Sequence, residues 1–558
     1  MTCINPLCHF PSEINHVIFS YLNTPQIFKC LAVCRQWRDN IPAWIDKRDR
    51  SLVLDTKQLD NAPPSLQHIG RVVERVHLQP SGERVKFQQV NFQQVLDKLV
   101  ALDLPLLDTL HFLPMPVEAF SMLAVSQSWH KLGTKLRRLG LQGKPSPHAQ
   151  GAQVDLSVIL DSCPFLTHLS FDFCCYPLQF PLDCLSQHQH EHLQYLNMDA
   201  HIQLQHLLPL VRHCPQLRYL RFSWDPSMKL DEIMDACPSL KGIGIHSDYI
   251  HHSRDPWWKD RSISMAETTL QELISRVRFG DQYRQTAFMI AKHCAHLRRI
   301  HLIIQDDHWE ADMMQHYFSM PVYDPLLALE EFFYRAIGKV PVETSFVIPL
   351  LKQCPNLQRI SLDAENADPI YRALVGHALP HLQSLSVWNT DRQMDGLEDL
   401  LFSIANTNAP LERFEFTGNF VRSHAIYQAL AQISSLRHIV LRSSGGKLGK
   451  KCMTQCLSRL RGDGASTRNL ESITFIEMEG FMTVEAFGSL RKILSLKRVT
   501  FIRCGLINER GLRLLIDRQP PLEFLEIHLS SKTRDGNPLE PILDYARSKI
   551  DRVEFHGP

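Results

Sequence analysis

Apolar residues recur along this chain in one local pattern, apolar-x-x-apolar-x-apolar. It appears at VERVHL (from Val73), LDTLHF (Leu107), LRRLGL (Leu136), LTHLSF (Leu166), LQYLNM (Leu193), LRYLRF (Leu217) and LKGIGI (Leu240). After an interval it resumes at LRRIHL (Leu297), LQRISL (Leu357), LQSLSV (Leu382), LERFEF (Leu411), LRHIVL (Leu436), LESITF (Leu470), LKRVTF (Leu496), LEFLEI (Leu522) and IDRVEF (Ile550). Most steps are 23 to 30 residues, and two wide gaps of 57 and 60 each hold a weaker version, LQELIS at Leu270 and LEEFFY at Leu329. The array thus has sixteen clear units, eighteen with the weaker pair. The last positions of each unit alternate apolar and polar, which predicts a short strand with one buried face. Ahead of many units the apolar spacing changes to three and four: Leu204, Leu207, Leu208 and Val211 lead to Cys214, and Phe346, Leu350 and Leu351 lead to Cys354. That spacing predicts a helix. One unit is therefore a helix, a sharp turn and a strand.

Several turns begin Cys-Pro, as in CPFLTHLSF from Cys163, CPQLRYLRF from Cys214 and CPNLQRISL from Cys354. The proline lacks an amide proton and disfavours helix in the residue before it, so the helix stops there. The cysteine is then expected in the last helical turn, on the leucine face, as a small buried group. Metal ligands converge on a point, whereas thiols at one register position stack along an axis. Core packing is thus expected over zinc or a disulfide. These features resemble the cysteine-containing leucine-rich repeat over about residues 70–558. The resemblance implies an α/β fold, a leucine-rich-repeat solenoid shaped as a horseshoe with parallel strands on the concave side and helices on the convex side. Three buried side chains per strand, at about 1.5–3 kcal/mol each, only modestly exceed the cost of ordering the chain, so a unit depends on its neighbours.

Before the array lies HFPSEINHVIFSYLNTPQIFKCLAVCRQWRDNI. Ile14, Val17, Ile18, Tyr21 and Leu22 follow helical spacing, Thr24 and Pro25 suit a helix start, and Ile27, Leu31, Cys34 and Trp37 continue the pattern. About 40 such residues make a poor core alone. The segment resembles an F-box at Pro11, Glu13, Ile14, Ile18, Phe19, Leu22, Val33, Cys34, Arg35, Trp37 and Arg38, with Phe10 in place of the usual leucine and Gln26-Ile27 in place of Asp-Leu. The resemblance implies docking onto the Skp-family adaptor of cullin–RING ubiquitin ligases. Phe10, Pro11, Ile14, Ile18, Phe19, Leu22, Cys34 and Trp37 would enter or support that interface, with Glu13 on its rim. The implied organisation is an all-α F-box over 1–50, a linker or first-repeat cap over 51–70, and the solenoid over 71–558.

Composition narrows the class. A chain of 558 residues with 44% hydrophobic content and net charge +1 has no global pull toward nucleic acid or membrane. No run of about 18 apolar residues occurs. Fifteen cysteines, and a start lacking the signal-peptide pattern, point to reduced thiols in the cytoplasm or nucleus.

A target would meet the third and fifth letters of each unit, which face away from the core. The third-letter lane holds seven arginines in sixteen positions, Arg75, Arg138, Arg299, Arg359, Arg413, Arg498 and Arg552, together with Tyr195 and Tyr219. One reading is a surface for acidic or phosphorylated protein targets; another is neutralisation by Glu272, Glu331, Glu415, Glu526 and Glu554. The insertions His246–Ser262 and Gln305–Pro325 carry Trp257, Trp258 and Trp309, either as recognition loops or as plugs over the weaker units. Chemistry is sparse. In QHQHEHLQ, from Gln187, the HExxH spacing fails at Gln194, and this reads as a solvated loop; SSGGKLGKK, from Ser443, lacks the phosphate-loop pattern. No catalytic centre, metal or cofactor is expected. The alternatives to a ligase subunit are a cytosolic repeat scaffold or inhibitor, and a receptor for a small anion held among the arginines.

Overall fold

The structure is a computed structural model of the chain. It describes residues 10–20, 26, 30, 33, 37, 51–55, 73–79, 92–116, 122–144, 156–177, 189–201, 204–223, 230–246, 270–277, 280–305, 325–337, 346–364, 367–375, 377, 379–389, 395–418, 424–443, 454, 457, 458, 460, 469–478, 483–504, 507–528 and 539–556. The chain divides into two compact units, Met1–Trp257 and Trp258–Pro558.

In the first unit a helix, Ser12–Ser20, precedes the strands β1 (Ser51–Asp55), β2 (Arg75–Gln79), β3 (Thr109–Pro116), β4 (Arg138–Lys144), β5 (His168–Pro177), β6 (Tyr195–His201), β7 (Tyr219–Ser223) and β8 (Gly242–His246). Each pairs in parallel with the next. The second unit holds β9 (Glu272–Val277), β10 (Arg299–Gln305), β11 (Glu331–Ile337), β12 (Arg359–Asp363), β13 (Ser384–Asn389), β14 (Arg413–Gly418), β15 (His438–Ser443), β16 (Ser472–Ile476), β17 (Arg498–Ile502), β18 (Phe524–His528) and β19 (Arg552–His556). These too pair in parallel and in sequence order. Each unit is a leucine-rich-repeat array.

Every unit predicted from the pattern is a strand beginning at its third letter, including the two weaker ones, which are β9 and β11. β1 is a further strand, inside the stretch assigned to a linker or first-repeat cap. Asp49 stands where its first apolar letter belongs, yet Leu52 and Leu54 are buried at the fourth and sixth. The cause of the regular register is visible in the backbone. The second-letter carbonyl of one unit accepts two amide protons from the next: Asp108 O from Arg137 and Arg138 at 2.7 and 2.9 Å, Glu471 O from Lys497 and Arg498 at 2.8 and 2.9 Å. The first, fourth and sixth letters fill the core, as Leu217, Leu220 and Phe222 do at 0–1% exposure.

Helices such as Leu204–His213 and Asp395–Thr407 connect strands. The cysteines Cys163, Cys214, Cys237 and Cys354 are buried and unpaired, as a core role requires. Their place differs slightly from expectation. Cys163 and Cys214 lie one residue past the helix end, and Cys163 N–H still reaches Ile159 O at 3.1 Å. Burial drives the Cys163 thiol strongly up and pushes Cys214 and Cys354 up to about 12, which leaves them unreactive. The same position, three before the leading leucine, is filled elsewhere by Leu326, Leu379, Ile433 and Ile493, all buried. The thiol is one of several interchangeable core groups.

Candidate functional surfaces

The amino-terminal helix Ser12–Ser20 starts where Pro11 O accepts the amide protons of Ile14 and Asn15, both at 3.1 Å. Asn15 is buried, and its Nδ2 donates to Phe10 O at 3.2 Å, fixing the entry of the chain. On the other side Phe10, Ile14, Val17 and Ile18 stand 40–49% exposed. Phe19 behaves differently. It is 2% exposed and meets Trp37 edge-on, with ring centroids 6.5 Å apart. Of the residues predicted for the interface, Phe10, Pro11, Glu13, Ile14 and Ile18 therefore lie at the surface. Phe19 supports them from beneath, and half-buried Trp37 packs on it. Val17, absent from the predicted set, belongs to the exposed stripe, as its helical spacing already indicated. Leu22 and Cys34 lie outside the described residues.

A second surface is the open face of the strands in the first unit. Its third and fifth letters on β2 to β8 read Arg75, His77, Thr109, His111, Arg138, Gly140, His168, Ser170, Tyr195, Asn197, Tyr219, Arg221, Gly242 and Gly244, with no carboxylate among them. Because β-strands stack in register, like groups fall beside one another. His77 stacks on His111 at 4.9 Å, His168 on Tyr195 at 5.6 Å, and Tyr195 lies 6.3 Å from Tyr219. The glycines make room: a Cβ on Gly140 would fall 2.1 Å from His111 Nδ1, and one on Gly244 would fall 3.0 Å from Arg221 Cγ. Burial lowers the pKa of His77, His111 and His168. Arg75 lowers His77 further, and Arg138 lowers the other two. Arg138 makes no ion pair among the described residues. The third and fifth letters of this face are cationic and aromatic, and the carboxylate of Asp172, a seventh letter on the same side, accepts from Gln142 Nε2 at 2.9 Å.

The corresponding face of the second unit is compensated. Arg299 meets Glu272 at 3.0 Å, Arg359 meets Glu331 at 3.6 Å, Arg335 meets Asp363 at 3.0 Å and Arg413 meets Glu415 at 3.6 Å. Arg552 is engaged by Glu554 and lies over the Phe524 ring at 5.3 Å. Of the candidate arginines in this unit, Arg498 alone makes no ion pair among the described residues. Neutralisation therefore describes most of this lane. Trp257, Trp258 and Trp309 fall outside the described residues.

QHQHEHLQ requires a correction. His190 is 6% exposed, not solvated: it occupies the cysteine position of its unit, and its ring Nε2 donates to Cys163 O at 3.0 Å. Sequence reasoning also missed a cluster on β18 and β19, where Glu526, His528 and His556 bring ligand atoms within 4.8 Å of one another. The signal was present as the fifth and seventh letters of two successive units, LEIH and VEFH.

Comparison with known proteins bears on the first surface. Residues 7–44 match a family model described as F-box-like. The exposed stripe of Ser12–Ser20 lies inside that match, so the amino-terminal segment is an F-box-like domain. Among solved structures, similarity is found to a chain of the Rad7 and Elc1 complex in yeast, at 13% identity and TM-score 0.34, covering 62% of this chain and 79% of that one. The leucine-rich repeat-containing protein LegL7 from Legionella pneumophila is similar at 13% identity and TM-score 0.31, covering 59% of this chain and 95% of that one. No curated protein sequence matches this chain. Among the described residues no helix is long and apolar enough to cross a membrane.

Proposed function

We propose that this chain is the target-binding subunit of a Skp–cullin–F-box ubiquitin ligase. The F-box-like segment would dock on the Skp-family adaptor, and the repeats would hold a protein target to be ubiquitinated and degraded. The observation that carries this reading is the coincidence of the F-box-like match at 7–44 with an exposed stripe of Phe10, just before the helix, and Ile14, Val17 and Ile18 on it. Such a stripe on a small module fits a partner surface that completes its core. In this reading the chain is not an enzyme. It works in the cytoplasm or nucleus by raising the effective concentration of target beside the ligase, with no side-chain chemistry of its own. The third and fifth letters of β2 to β8, which carry no carboxylate, suit an acidic or phosphorylated target segment.

Co-purification with a Skp-family adaptor tests the docking step. Ile14→Lys/Ile18→Lys alters two exposed side chains, so the fold stays intact while adaptor affinity falls by about tenfold or more. Undiminished capture by this variant would leave a repeat scaffold without a ligase as the better description. Phe19 is unsuitable for the test, because replacing it breaks the module as well as the interface.

A further inference from the structure

We infer that β18 and β19 carry a binding site for a zinc-class divalent metal ion, built from His528, His556 and Glu526 with Glu554 as a further oxygen donor at its edge. The parallel register sets Glu526 beside Glu554 and His528 beside His556. Glu-x-His on each strand places all four side chains on one face, because successive residues alternate sides. His528 Nε2 lies 2.6 Å from Glu526 Oε1, and His556 Nε2 lies 3.7 Å from the same oxygen. His556 Nε2 is also 3.7 Å from Glu554 Oε2. Ligand atoms of Glu526, His528 and His556 converge within 4.8 Å of one another from adjacent strands, with Glu554 beside His556 alone, and such a mixed nitrogen and oxygen set suits borderline divalent ions.

The surroundings orient these donors. Thr500 Oγ1 donates to Glu526 Oε2 at 3.3 Å, and Arg552 Nε donates to Glu554 Oε1 at 2.8 Å. Each carboxylate thus has one oxygen held by a neighbour and the other turned toward the histidines. Outer partners of this kind fix ligands in metal sites. The two imidazoles stack at 4.1 Å, which restricts both rings before any ion arrives. A metal would displace the proton now shared between His528 and Glu526. It would also have a use there. Leu525 and Ile527 of β18 are fully buried, whereas Val553 and Phe555 of β19 are only half-buried. A cross-strand clip would tie β19 to β18.

The test is titration of the full-length chain with Co2+ alone, followed by competition with Zn2+, against His528→Ala/His556→Ala and, separately, Glu526→Gln. The expected result is one equivalent of Co2+ showing ligand-field absorption without a thiolate charge-transfer band, displaced by Zn2+. That equivalent is lost in the double variant and bound about tenfold or more weakly in Glu526→Gln. Zn2+ should also raise the melting temperature of the wild-type chain and leave the double variant's rise smaller. The four side chains are at least partly exposed, so circular dichroism of the variants should match wild type. If both variants bind the same number of equivalents as wild type, or if no thiolate-free equivalent is seen, the cluster is an ion-paired imidazole stack and not a metal site. Neither outcome depends on adaptor or target binding.

Discussion

A methyl group on Gly133 would lie 2.3 Å from the backbone carbonyl oxygen of Ser162 and 3.0 Å from Cys163 Sγ. Gly133 holds in its unit the position that Cys163 holds in the next, three residues before the leading leucine. One unit surrenders its plug so that the neighbouring thiol can fill the space. Overpacking at such a contact forces backbone movement, so Gly133→Ala should destabilise the first unit by about 1–3 kcal/mol. Gly488 is the control. It lies in the helix Val484–Arg491 with no atom within 4 Å of an added Cβ. Gly488→Ala should therefore stabilise, by about 0.5–1 kcal/mol, through helix propensity alone. Urea unfolding of both variants checks the contrast; equal effects would show that the close approach at Gly133 relaxes at no cost.

At the scale of the element, the turn between helix and strand is where repeat identity is set, and His190 shows how. It bridges two other units, its ring to Cys163 O at 3.0 Å and its backbone N–H to His213 O at 2.8 Å. Burial is the largest influence on its pKa and lowers it, outweighing the hydrogen bond to Cys163 O. The native imidazole thus resists a proton that the unfolded one accepts. Its contribution to stability is complete above the ordinary histidine pKa and is lost as pH falls through that value toward the lower native one. His77, His111, His168 and His213 shift in the same direction and add to the loss. Leucine suits this turn position in another unit, at Leu326, so His190→Leu should keep the fold. It should also shrink the drop in melting temperature between about pH 7.5 and 5.5. An unchanged drop would show that His190 is not part of the acid response.

The strands were legible because three apolar letters per unit suffice to find them, even in the weak units at Leu270 and Leu329. β1 was hidden by a single polar residue, Asp49. His190 was misread because a histidine-rich string resembles a loop until its register places one imidazole in a core slot. The Glu-His cluster escaped because each lane was read along the array, whereas the cluster crosses from the fifth letter to the seventh. Helical spacing separated Phe19 from the stripe of Ile14, Val17 and Ile18, but spacing alone could not tell which of the two sides is the buried one.

For the whole molecule, a net charge of +1 conceals an uneven distribution. The third and fifth letters of β2 to β8 carry Arg75, Arg138, Arg221 and three histidines without a carboxylate, while those of β9 to β19 include Glu272, Glu331, Glu415, Glu526 and Glu554. Ion pairs already satisfy most arginines of the second set, and breaking one to bind an anion returns little. Arg138 makes no such pair among the described residues, so an acidic segment approaching it breaks none of those. Fluorescence anisotropy with a panel of glutamate-rich and phosphoserine peptides should therefore show binding that weakens with added salt, as screening of exposed charge requires. Arg138→Glu should lower that affinity by about tenfold, in line with losing a charge-assisted contact, while Arg413→Glu changes it little. Binding should tighten as pH falls toward 6, because an anion favours protonation of His111 and His168, which burial and Arg138 now oppose. Equal losses from the two charge reversals would show that the face of β2 to β8 has no special part in target recognition.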